Sequence, residues 1–264
     1  MEFEHEVFDL MPPHNKTFSL VGMKIPNDKD IFFRAKQKET LDRYQAARRF
    51  MYELETDDWD HYFQKSADAK ANAYFQNVLK AQMYEAALIF YNTVIDLSWI
   101  TCYTSAEYFI YLDGKPVEIE GITTIETAYD ALRKAEGLVQ HPGADGSPFI
   151  YLKKMCPQFS DVLDFIIDFW KGFSNTPVRL NYNYFKHKGA LCYEEIQALE
   201  PNRIFSLRIN DQNCPSDIRD VQKTINLLVA IEELRQFDNN QLFPYIESLF
   251  QQLESLVKPS PLIF

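Results

Sequence analysis

The stretch PVRLNYNYFKHKG, residues 177–189, decides how the rest of the chain is read. Proline suits the first turn of a helix, where its missing N–H costs nothing, and glycine at the far end is a stop signal. No other proline or glycine lies between them, so the spacing predicts one short helix. Along it Arg179, Asn183 and His187 fall at i, i+4 and i+8, a single slowly drifting stripe, with Lys186 beside it. Leu180 and Tyr184 are expected on the buried side. Two readings stand side by side. In the structural one, Lys186, His187 and Lys188 complement the negative end of the helix dipole and Gly189 caps it. In the chemical one, the same polar side chains form a site.

Working outward, Pro157 opens a helix expected to run to Phe173. Upstream, a helical pattern free of proline and glycine spans residues 58–100. Trp59, Phe63, Ala67, Ala71, Phe75, Leu79, Ala86, Phe90, Val94 and Leu97 are its spine, and from Tyr84 it is apolar nearly all round, as a core helix is. Residues 37–55 read as a helix through Leu41, Tyr44, Met51 and Leu54. Residues 1–35, punctuated by Pro12, Pro13 and Pro26, read as an extended arm. Residues 108–112 and 117–119 flank Asp113-Gly114, a hairpin signal. Residues 124–139 read as a short amphipathic helix and 140–148 as a flexible loop. Downstream, the pattern predicts a short helix to Leu199 and a strand over 203–209. A helix over 218–237, opened by Pro215-Ser216-Asp217, and a last piece from Pro244 to Val257 follow. The plan is an arm (1–35) and one helical domain (36–264) with a β insertion around 106–122. The expected fold class is mainly α: a helical bundle with a small β-hairpin and strand appendage.

Composition narrows the function. Aromatic residues are plentiful (21 Phe, 15 Tyr, 3 Trp) and glycine scarce at 8, which suits helices better than a sandwich of short strands. The net charge of −11 weighs against unspecific binding to DNA or anionic membrane. Cys102, Cys156, Cys192 and Cys214 form no CxxC pair, so neither a zinc site nor a disulfide framework is signalled. The first residues lack the apolar core of a signal peptide, and the apolar run at 86–100 is too short to span a bilayer. A cytoplasmic protein without membrane contact is expected. His61 beside Asp57, Asp58 and Asp60 reads as a helix start, His141 as a loop residue, and the pairs Glu194-Glu195 and Glu232-Glu233 as solvated helix faces. No phosphate-loop, dinucleotide or nucleophile-elbow motif occurs.

Long helices followed by N-x-x-K-H near a helix end, here Asn183 to His187, resemble the HEPN superfamily of helical bundles. The family motif is R-x(4–6)-H, usually with a polar residue directly after the arginine. Here Tyr182 stands at that arginine position, and Arg179 gives R-x7-H, about 80° out of line on an ideal helix. The resemblance implies a HEPN-like bundle and a homodimer joined near the Arg179–His187 stripe. It also implies a metal-independent ribonuclease of a defence or toxin–antitoxin system, with no cofactor. Its alternative is a catalytically inactive partner, of an antitoxin for example, or a helical interaction module. In the nuclease, the ribose 2′-hydroxyl attacks its phosphate while His187 moves the proton. Arg179 or Lys186 stabilises the developing charge, Asn183 orients the histidine or binds ribose, and Tyr182 or Tyr184 stacks on a base.

Overall fold

A computed structural model of the chain describes residues 3, 28–55, 62–107, 111–112, 115–116, 153, 157–200 and 204–257. The architecture is mainly α. Its helices are α1 (Asp28–Glu55), α2 (Ala69–Glu107), α3 (Ser160–Phe173), α4 (Pro177–His187), α5 (Glu194–Gln197), α6 (Leu227–Phe237) and α7 (Phe243–Val257). The strands are β1 (Tyr111–Leu112), β2 (Lys115–Pro116), β3 (Cys192–Tyr193), β4 (Ile204–Ile209), β5 (Gln212–Asp217) and β6 (Thr224–Ile225). They pair two by two: β1 with β2 and β4 with β5 antiparallel, β3 with β6 parallel. Among the described residues, no helix is long and apolar enough to cross a membrane.

The chain divides into two compact units. The first takes Met1–Gln45, Tyr91–Ser174 and Asp238–Phe264. Its core is aromatic. The Tyr245 ring stacks on Phe169 at 3.7 Å, and its hydroxyl meets Ser98 at 2.9 Å. Trp99 and Trp170 meet edge to face at 4.9 Å. Such pairs add about 0.5–1.5 kcal/mol each beyond the area they bury. Between α6 and α7 the backbone widens into a π turn, Asp238–Leu242, just before Pro244, which has no N–H to give an α-helical bond. Asp238 at its start is fully buried and accepts hydrogen bonds from the Tyr44 and Tyr91 hydroxyls.

The second unit takes Ala46–Phe90 and Asn175–Phe237. It holds the end of α1, the first half of α2, all of α4 to α6, and strands β3 to β6. Phe50 and Phe90 stack at 5.8 Å. Arg235 on α6 binds Glu55 at 2.8 Å and Glu232 at 2.5 Å, so Glu232 is tied down and does not lie on a free solvated face.

Several boundaries differ from expectation. The arm expected over 1–35 gives way at Asp28, where α1 begins. Its buried stripe continues back through Gln37 to Phe33, but with polar members: Arg34 binds Gln37 at 2.9 Å and Glu254 at 2.8 Å. α2 begins at Ala69, not 58. Asp68 caps it, accepting the Lys70 N–H at 2.8 Å, and Asn72 and Ser66 lock the preceding turn with two bonds of 2.8 Å. Phe63 therefore lies before the helix, tilted against Phe75 at 6.0 Å. The helix also runs on to Glu107. Residues 215–217 open no helix. Asn210 and Asp211, both at positive φ (51° and 65°), fold them back as β5. The helix expected over 218–237 is a 3-10 turn at Ile218–Val221, then β6, then α6, and the short helix expected to Leu199 is preceded by β3. The second strand of the hairpin, expected over 117–119, already begins at Lys115, which pairs with Leu112; residues 117–119 lie outside the described residues. The helix expected over 124–139, the loop over 140–148, His61 and His141 lie outside the described residues.

Candidate functional site

α4 is built as its sequence directs. The Thr176 hydroxyl caps it, accepting the Arg179 N–H at 3.3 Å, and Pro177 opens the first turn. At the other end the N–H groups of Lys188 and Gly189 donate to the Tyr184 carbonyl at 2.8 and 3.2 Å. Gly189 sits at φ +146°, where any side chain would be strained. Lys186 and His187 occupy the last turn, both exposed.

The faces are not those expected. Val178, Arg179, Asn181 and Tyr182 are buried, whereas Leu180 is 50 % exposed. An amide can take a buried place from a leucine only if its bonds are met, and those of Asn181 are. Its Oδ1 accepts from the Lys223 Nζ at 2.6 Å, and its Nδ2 donates to the Tyr84 hydroxyl at 3.2 Å. Tyr184 is half-buried; its hydroxyl accepts the Lys223 backbone N–H at 3.0 Å, and the Lys223 ammonium lies 5.9 Å from its ring centre.

The stripe itself divides. The Arg179 guanidinium, 7 % exposed, packs on the Tyr182 ring at 5.2 Å, and the Lys186 ammonium reaches the same ring at 5.7 Å. Tyr182 thus brings Arg179 and Lys186 together. Asn183 is half-buried and His187 exposed in the last turn.

Around Lys223 the electrostatics are unusual for a surface lysine. Burial holds its ammonium below the ordinary lysine range; the nearby Lys188 charge pushes the same way and Glu233 opposes. Burial lifts the Tyr84 phenol to about 12, with the Asn181 bond working against the shift and Glu233 and Glu85 adding to it. Tyr193 donates to Glu85 at 2.8 Å and meets the Tyr84 ring edge-on at 6.3 Å. Burial raises both the Tyr193 phenol and the Glu85 carboxyl.

Tyr84 and Lys223 were not legible as site residues. They stand 97 and 42 positions from Asn181, and neither belongs to a local motif. Glu195, expected on a solvated face, instead caps α6, accepting the Leu227 N–H at 2.9 Å. Chemically, the arrangement offers an ammonium fixed by an amide, next to an exposed turn carrying Lys186, His187 and Lys188. Among the described residues, no three of His, Cys, Asp and Glu gather as a metal-holding group. No protein-family model, curated protein or solved structure matches the chain.

Proposed function

We propose that this chain is a HEPN-like helical protein acting as a catalytically silent partner, an interaction module of a defence or toxin–antitoxin pair. The observation that carries this reading is the burial of Arg179 against Tyr182, while His187 stands exposed about two turns along α4. Cutting RNA through the ribose 2′-hydroxyl needs a cation on the developing phosphate charge and a proton carrier in the same space. A guanidinium committed to a ring on its own helix must leave it first, at a cost of about 0.5–2 kcal/mol for the cation–π contact alone.

The ribonuclease reading keeps one support: Lys186, His187 and Lys188 are all exposed at the end of α4, so a backbone phosphate there would meet the imidazole in a locally cationic turn. In that reading the protein is a homodimer that brings two α4 stripes together on RNA, without a metal. Incubation with single-stranded RNA in EDTA separates the two. The silent reading expects intact RNA. Fragments with 2′,3′-cyclic phosphate ends, lost by about 10²–10⁴ in rate in His187→Ala, would overturn it.

A further inference from the structure

We propose that the outer edge of β4 is a dimerisation edge, on which β4 of a second copy of this chain adds antiparallel with Leu207 on the twofold axis. The β4–β5 ribbon carries two strands, and residues 206–213 are all exposed. A two-stranded ribbon is marginal by itself in water, and its unpaired edges are templates for another strand.

Register shows which edge is open. With a two-residue turn at Asn210-Asp211, the rungs Ile209–Gln212, Leu207–Cys214 and Phe205–Ser216 exchange hydrogen bonds. Residues of the alternate rungs, Arg208–Asn213, Ser206–Pro215 and Ile204–Asp217, turn their backbone groups outward. On β5 the middle of that outward row is Pro215, which has no N–H to give. On β4 the row is Ile204, Ser206 and Arg208, each with its N–H. Among the described residues, β4 is therefore the more open edge of the ribbon.

The sequence of β4 suits its own copy. Pairing about a twofold must set outward residues against outward residues, so the axis falls on a residue and never between two. Centred on Leu207, Ser206 faces Arg208 of the partner subunit and Arg208 faces Ser206 of the partner subunit. Leu207 meets Leu207 of the partner subunit, and Ile209 lies opposite Phe205 of the partner subunit. Leu207 and Ile209, 40 % and 53 % exposed, share one face and would be covered together. Centring on Arg208 would set two guanidinium groups face to face, which is destabilising; centring on Ser206 would oppose Ile209 to an arginine. Edge strands are commonly guarded by charge; in the Leu207-centred register Arg208 faces a serine and not another arginine, and it lies 3.2 Å from Asp211 of its own turn.

Light scattering of the full chain at tens of micromolar should give about twice the 31.0 kDa of one copy. Ser206→Pro removes an outward N–H, and Leu207→Lys opposes two charges on the axis; each should return the mass of one copy with unchanged circular dichroism. In a Cys214→Ser background, Leu207→Cys should give a covalent dimer on oxidation, since directly opposed residues bring their Cβ atoms within about 4.5–5.5 Å. Ser206→Cys should not. A wild-type monomer, a dimer that survives both β4 substitutions, or equal cross-linking at the two positions would each overturn the proposal. The RNA test above reads cleavage and is scored separately from these masses, although a wild-type monomer would also count against the homodimer of the ribonuclease reading.

Discussion

Replacing Asn181 by leucine keeps its bulk and removes the two bonds that hold α4 against its neighbours in the second unit. The Lys223 ammonium loses a 2.6 Å acceptor, and the Tyr84 hydroxyl loses its 3.2 Å donor. A hydrogen bond to a charged group is worth about 1.5–3 kcal/mol, but Lys223 is half-buried and water restores part of that, leaving about 1 kcal/mol. Tyr84 is 1 % exposed, so its hydroxyl is left unmet at about 1–3 kcal/mol. Asn181→Leu should therefore cost about 2–4 kcal/mol. Adding Tyr84→Phe should recover about half or more, because removing both partners of a buried bond is far cheaper than removing one. Urea unfolding followed by circular dichroism measures the total. Hydrogen exchange of the amides of residues 178–187 measures the local loss, which matters in a chain of two compact units. A loss below about 0.5 kcal/mol, or no recovery in the double variant, would refute this account of why an asparagine is buried and a leucine exposed on α4.

Two further outcomes follow from buried phenols. Asp238→Asn should destabilise the first unit by about 1–3 kcal/mol in urea unfolding, because the amide nitrogen cannot accept a hydrogen bond and either Tyr44 or Tyr91 loses its carboxylate acceptor. The Tyr84 phenol, raised from its ordinary 10.0 to about 12, keeps its proton in the folded state where the unfolded chain has shed it. Its contribution is complete below pH 10 and is lost as pH rises toward 12, on the order of 2–3 kcal/mol in total. Unfolding midpoints across that window should fall less steeply in Tyr84→Phe than in the parent; parallel slopes would contradict the assignment.

The sequence by itself determined the helices whose ends carry their own chemistry. Thr176-Pro177 and Gly189 mark α4, Pro157 announces the turn that leads into α3, and Glu55 ends α1 as expected. Such signals act within one turn of backbone, so they survive in a one-dimensional reading. The largely buried character of α2 from Tyr84 onward was legible for a related reason, since a helix packed on most sides needs little polar face. What only the tertiary structure decided was which side of α4 turns inward. Leucine is ordinarily the buried residue and asparagine the exposed one. That order reversed because Lys223 and Tyr84, remote in sequence, supply both halves of the Asn181 amide with partners. The beginning of α1 was hidden in the same way, its inner face carrying Arg34 and Gln37 against Glu254, 220 and 217 residues distant. A polar residue is buried without penalty only where its hydrogen bonds are met, and no spacing along one segment can tell what another segment will bring to it.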